Sequence, residues 1–399
     1  VLLGSGCGNF LQDSDSRAVQ NLQLADGSSG PSFQESKSND AFESAESVGL
    51  ATSTEVIGGT VSQASDVDVF ELGAVAAGDR VVVSMAAVDA LKGALAIFDE
   101  TGATLLVNDH RNVYLGQQFP FIDVVFRRPS TRCYVAVAST PGYPSQGAYS
   151  LGSSIESGVP IPGPRPDVVF LDFNGANNVR IASRSPVDVP QFDAADIDSS
   201  YRGQTNALVD EVVRLVREDF LGYDVVILSS HEGADPDRDT SQVHFGTVDY
   251  ALLGVAEGVD EYNAESGQHA IVFTETFSVF LSLEPSVEQM AQAIANVASH
   301  EIGHLLGLVH TRAAEDIMDV TASLRQLMLD QTFGRAPIYE IVFPIGEQDS
   351  SQLLLDSVGG DAELLAEMHK QRPTRARLQT DRDRPARDSR AFGTCGIHR

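Results

Sequence analysis

The sequence predicts a multidomain chain, an all-β sandwich followed by an α/β domain with a mixed twisted sheet and one long helix. Three observations carry that expectation. Between 39 and 153, short runs rich in Val, Ile, Phe and Tyr, several alternating with period two, are punctuated by Gly, Asp or Asn and leave no convincing helix of twelve residues or more. The segment ESGVPIPGPRP at 156–166 carries four prolines, the composition of a stiff extended connector. Beyond it, strand-like runs alternate with helically spaced ones. A chain of 399 residues has room for two domains at roughly 100–200 residues each. The expected boundaries are a signal remnant and flexible tether at 1–38, the sandwich at 39–153 and a linker at 154–166. The α/β domain follows at 167–359, and a basic, disordered tail at 360–399.

In the first domain the strand candidates are TEVIGGTVS, DVDVFELG, DRVVVSMAA, GALAIFDETG, ATLLV, IDVVFRR, CYVAVAS and AYSLGSS. Seven or eight strands in so short a stretch argue for two packed sheets. In the second, DVVFLDF (167–173), YDVVILSS (223–230) and HAIVFTETF (269–277) read as strands. QTNALVDEVVRLVREDF (204–220) has apolar residues at 208, 212, 215 and 216, a helical spacing. SVEQMAQAIANVASHEIGHLLG (286–307) reads as a long helix, with Ser286 and Gln289 placed for a capping box.

Charge excludes some functions. Against 27 Lys plus Arg stand 56 Asp plus Glu, a formal net charge of -29. Such a surface repels nucleic acid and anionic lipid. No window approaches the roughly 18 apolar residues of a membrane span. The opening VLLGSGCGNF reads like the end of a signal peptide's apolar segment, which favours export, to the medium or to a bacterial cell envelope. Cys7 follows small residues as at a bacterial lipoprotein cleavage site, although Gly4 stands where Leu is usual; the alternative is an idle thiol. Membrane attachment is expected only through a lipidated Cys7. Three cysteines make no disulfide framework, though Cys133 and Cys395 could pair in an exported protein. Residues 365–399 carry nine Lys or Arg; this arm is either solvated or docked back on the acidic body.

The informative segment is HEIGHLLGLVH at 300–310, which gathers three of the chain's nine histidines. His300 and His304 are four apart, so a helix stacks both imidazoles on one face. Such nitrogens suit Zn2+. Glu301 can reach a water on the metal without ligating it. Gly307 permits a sharp turn that brings His310 back as a third ligand. Three ligands leave a position for water, as in a catalytic site, whereas a structural site is closed by four. Met318 follows His310 by eight residues in EDIMDV; alone, it reads first as plain core.

HEIGHLLGLVH followed by this methionine turn resembles the metzincin zinc endopeptidases and is most similar to bacterial matrixin-like or snapalysin-like members. The resemblance implies a metzincin-like zincin domain whose active-site helix supplies the ligands His300 and His304, with His310 as the third. It makes Glu301 the general base and Met318 the residue packed beneath the metal. Many members carry Tyr two residues after that Met; here the position is Val320. The stretch ALLGVAEGVDEYNAESGQHAIVF would be the edge that a substrate chain meets. Matrix enzymes of animals carry a Cys-bearing inhibitory switch ahead of the domain, and none is found in this sequence. The first domain resembles the bacterial pre-peptidase carboxy-terminal domain, a jelly-roll-like sandwich, through Asn39-Asp40 before AFESAESV, SDVDVF at 65–70 and GAYSL at 147–151. That resemblance implies structural Ca2+ near Asn39, Asp40, Asp66 and Asp68, where solvated turn chemistry is the alternative. In the loop HEGADPDRDTSQVHFG (231–246), Asp235, Asp237 and Asp239 could hold a structural calcium, and His231 or His244 a second zinc, or the loop is simply acidic and solvated.

Together these residues predict a monomeric zinc endopeptidase acting on protein or peptide substrates. The alternative is a non-catalytic, metal-stabilised adhesion or binding protein.

Overall fold

The computed structural model describes residues 31–49, 55–87, 91–109, 119–371 and 393–395. Cys7 and the first part of the expected tether lie outside the described residues. The chain divides into two compact units, and their boundary is not a single cut. One unit takes residues up to Gly163 and also Pro337–Asp349; the other takes Pro164–Ala336 and the chain from Ser350 onward.

The first unit consists of two five-stranded sheets. One has the order β1 (Phe33–Gln34), β3 (Glu55–Val61), β10 (Gly147–Glu156), β5 (Arg80–Ala87), β8 (Phe121–Val125). The other runs β2 (Glu46–Ser47), β4 (Val67–Val75), β9 (Ser130–Ser139), β6 (Gly93–Phe98), β7 (Thr104–Asn108). The long strands pair antiparallel, while the short β1 and β2 add in parallel at the edges. Ile57, Phe70, Leu95, Ile97, Phe98 and Leu151 are fully buried, each contributing roughly 1.5–3 kcal/mol of transfer free energy. The eight strand candidates coincide with β3–β10.

Three boundaries differ from the sequence reading. Phe33–Gln34 of the expected tether is strand β1, because its backbone completes the open edge of β3. The linker begins after Glu156, since β10 runs through residues 154–156 against β5. Residues 337–349, expected in the α/β domain, belong to the sandwich unit. There Phe343 is fully buried, its ring 6.0 Å from that of Phe98, and Glu347 bridges to Ala103. Cys133 is a free, buried thiol whose pKa burial pushes up, so no pairing with Cys395 is formed.

The second unit is built on a six-stranded sheet, in the order β14 (Val225–Ser229), β11 (Asp167–Asp172), β15 (Ser241–Phe245), β17 (His269–Val272), β16 (Leu252–Ala256), β20 (Gly393–Cys395). β14, β11, β15 and β17 are mutually parallel, and β16 runs antiparallel to β17. A small hairpin-like pair, β12 (Ala176–Val179) with β13 (Val187–Val189), stands apart from this sheet. Strands β18 (Arg335–Pro337) and β19 (Glu347–Asp349) flank the excursion into the other unit. Helix α1 (Thr205–Asp219) buries Leu208, Val209, Val212, Val213, Leu215 and Val216, the stripe that the spacing predicts. It packs on α2 (Val287–Leu305), and α2 in turn lies on β15, β16 and β17.

The tail also differs from expectation. After α3 (Ser350–Ser357), residues 362–371 form helix α4, anchored by the buried Leu365. Residues 393–395 are a strand paired to β16 rather than solvated chain. HAIVFTETF ends as a strand at Val272, and a 3-10 helix follows over Thr274–Leu283. Among the described residues no helix is long and apolar enough to cross a membrane.

Candidate metal centre

Helix α2 starts where the capping box places it. Ser286 Oγ accepts from the Gln289 N–H at 3.3 Å, and the Ser286 N–H donates to Gln289 Oε1 at 3.0 Å. Its last turns carry His300, Glu301 and His304, all buried. The helix ends at Gly307, with φ at 99°. The Gly307 N–H donates to His304 O and the Leu308 N–H to Gly303 O, a Schellman termination. Glycine is required there: a Cβ would stand 2.8 Å from Asp260 O and 3.0 Å from Tyr262 N. The reversed chain then delivers His310. It is held there by Thr311, whose N–H donates to Met318 O and whose carbonyl accepts from the Val320 N–H.

The structure thereby brings His300, His304 and His310 together. Nε2 of His304 lies 3.1 Å from Nε2 of His300 and 3.2 Å from Nε2 of His310. Two nitrogens about 2.0–2.1 Å from a tetrahedral zinc are about 3.3 Å apart, so these two spacings suit that ion, and all three ring nitrogens lie within 4.8 Å of one another. The second ring nitrogens decide what the first can do. His300 Nδ1 is 2.7 Å from Ile317 O, and His304 Nδ1 is 2.7 Å from Leu308 O. A carbonyl only accepts, so both Nδ1 atoms carry protons. Burial pushes the pKa of His300 down to about 4, the carbonyl of Ile317 opposing the shift, so at neutral pH its ring holds no second proton. A lone pair on His300 Nε2 therefore faces the His304 nitrogen across 3.1 Å. That arrangement suits a cation between them.

Glu301 is fully buried beside the triad. Its carboxylate lies against β16: a Cβ on Gly254 would stand 2.3 Å from Glu301 Oε1. Met318 is fully buried with Sδ in the hollow above Gly303. Its N–H donates to Asp316 Oδ1 at 2.7 Å. Burial raises the Asp316 carboxyl to about 7, against the N–H groups of Met318 and Gly334 that pull it down.

Among the described residues the triad is the one group of three His, Cys, Asp or Glu side chains close enough to share an ion. Asp235, Asp237 and Asp239 are exposed and form no such group, and neither do Asp40, Asp66 and Asp68. The structure thus gives no support to calcium at either place. His231 pairs instead with Asp210 at 3.2 Å. His244 sits between Asp172, 3.0 Å from its Nδ1, and His269, 3.1 Å from its Nε2.

Residues 221–332, which contain the three histidines, Glu301 and Met318, match the family model described as matrixin, a peptidase family. The segment is matrixin-like. With the histidine triad it marks the unit as of zinc metallopeptidase type. No curated protein matches the chain. Among solved structures, archaemetzincin from Methanopyrus kandleri is similar at 14% identity, with 48% of this chain and 95% of that one covered and a TM-score of 0.27. The pre-peptidase C-terminal domain of collagenase from Bacillus anthracis is similar at 14% identity, with 31% and 100% covered and a TM-score of 0.23. A periplasmic lysozyme inhibitor from Aeromonas hydrophila reaches 16% identity, with 28% and 96% covered and a TM-score of 0.23.

Sequence reasoning missed several parts of the matrixin-like site. The carbonyls of Leu308 and Ile317 leave no signal in side-chain chemistry. Gly254 does have one, a glycine inside a Leu-Leu-Gly-Val-Ala run that otherwise reads as a strand, which points to close approach of another group.

Proposed function

We propose that the chain is a zinc-dependent endopeptidase of metzincin type, with His300, His304 and His310 as the metal ligands and Glu301 as the general base. The observation that carries this reading is the convergence of three imidazoles, His304 Nε2 lying 3.1 Å from His300 Nε2 and 3.2 Å from His310 Nε2, with a buried carboxylate next in sequence to His300. Zinc bound there supplies Lewis acidity at the scissile carbonyl and acidifies water. Glu301 accepts the proton of the attacking water and passes it to the leaving amine nitrogen. Backbone carbonyls on His300 and His304 fix the ring orientations, so the ligands need no rearrangement on binding. Gly254 lets a peptide backbone at the sheet edge come close to the carboxylate without a side chain between them. Met318 supports the floor of the site by packing. The two-sheet unit carries no comparable centre among its described residues and acts as an accessory module.

The test is Glu301→Gln in the full chain, assayed on casein and a peptide library together with metal analysis. The expected result is one zinc retained and cleavage reduced about 10²–10⁴-fold, the scale for losing a general base. Undiminished cleavage would remove Glu301 from the mechanism. A wild type that binds zinc and cleaves nothing would favour a metal-stabilised binding protein.

A further inference from the structure

We propose that the outer edge of β16 is a docking site for an extended backbone and that the chain's own segment Gly393–Cys395 is its resident occupant, competing there with substrate. The competition rests on the peptidase reading, while the docking does not. Without β20, strand β16 would end the sheet and present an unpaired row of N–H and C=O groups. β20 pairs with it in parallel, Leu252 opposite Gly393 and Gly254 opposite Cys395. The second of these pairs sits at the position that matters, because Gly254 is the residue packed against the Glu301 carboxylate. The tail backbone also lies against α2, the helix that carries two of the three histidines.

The contact is short enough to be reversible. Three residues of ladder bind weakly as a free peptide, but attachment through residues 372–392 makes docking intramolecular. A short linker gives an effective concentration on the order of 1 mM, which suffices for a weak contact to be substantially occupied. Charge assists approach, since 365–399 holds nine of the 27 Lys or Arg of a chain whose net charge is -29. A substrate strand needing the same N–H and C=O groups must displace the tail.

The test compares the full chain, a chain ending at residue 390, and a full-length chain with Gly393→Pro, Thr394→Pro and Cys395→Pro combined. Hydrogen exchange of 252–256 reads the docking, and peptide cleavage reads the competition. Both variants should exchange about tenfold faster at 252–256 with the rest of the unit unchanged, and a synthetic 388–399 peptide at about 1 mM should restore protection to the shortened chain. Both should show KM lowered about threefold to tenfold with kcat within about twofold, the signature of a removed competitor. Unchanged exchange at 252–256 overturns the docking whatever the activity. Faster exchange with unchanged KM overturns the competition. Faster exchange with no cleavage by any of the three chains keeps the docking and overturns the peptidase reading.

Discussion

Met318 occupies the space that a side chain on Gly303 would need: a Cβ there would stand 2.5 Å from Met318 Sδ and 3.2 Å from its Cε. The glycine in HEIGH and the methionine fifteen positions on are one packing unit. Gly303→Ala is expected to cost about 1–3 kcal/mol by overpacking, despite alanine's better helix propensity. Met318→Leu should cost under about 1.5 kcal/mol and Met318→Ala about 2–5 kcal/mol. Urea denaturation of the three variants checks the order; a stabilised Gly303→Ala would contradict the packing.

Gly254→Ala tests the approach of β16 to Glu301. The added methyl would lie 2.3 Å from Oε1 and 2.8 Å from Val297 Cγ1, so the carboxylate or the strand must shift. An ångström of misplacement at a reacting group costs about 10²-fold in rate. Zinc content should stay at one per chain while kcat/KM falls by that factor. Loss of zinc in parallel would mean that the whole centre is disturbed.

Metal removal should lower thermal stability, because on the proposed reading zinc is held by the folded triad and not by the open chain. His310→Ala should lose the ion and the corresponding stabilisation. His269→Ala should keep it, since the His244–His269 pair lies outside the triad. Calorimetry with and without chelator, alongside metal analysis, separates the two; a second equivalent of zinc lost on changing His269 would reveal a site there.

The sandwich unit carries a pH dependence of its own. Burial, with Glu35 and Asp66 nearby, raises the Asp68 carboxyl to about 8, although the Tyr149 hydroxyl donates to its Oδ2 at 2.7 Å and pulls it down. An unfolded Asp titrates near 4, so the folded state holds the proton more tightly. The stabilisation is complete below about pH 4 and is lost as pH rises through about 8. Asp68→Asn keeps an acceptor for Tyr149 and removes the titration. Its urea midpoint, relative to wild type, should rise between pH 5 and pH 9 in chelator. A constant difference would show that Asp68 does not hold the proton.

Much of this was legible in the residues. The alternation of β3–β10 reports burial on one side of a strand, and Ser286, Gln289, His300, His304 and Gly307 mark the start, face and end of α2 through local rules. What escaped depends on partners distant in sequence. Phe343 sits in an unremarkable IVF run, and only Phe98 and its neighbours make it core. Gly393–Cys395 has no strand composition; the vacant edge of β16 makes it one. β15 gives little signal of its own because SQVHF follows an acidic loop, whereas β16 lies within the 251–273 stretch expected as the sheet edge.

The assignment of 337–349 to the sandwich unit bears on the order in which the chain matures. Synthesis proceeds from the amino terminus, and domains usually close as they emerge. Here Phe343 is threaded last into a hydrophobic cluster whose other members were translated some two hundred residues earlier, with the histidine helix made in between. Until residue 343 has been made, the Phe98 side of the sandwich unit lacks one of its buried rings. A nascent chain stalled at residue 330 should therefore have a protease-sensitive β unit, and one stalled well beyond 349 a resistant one.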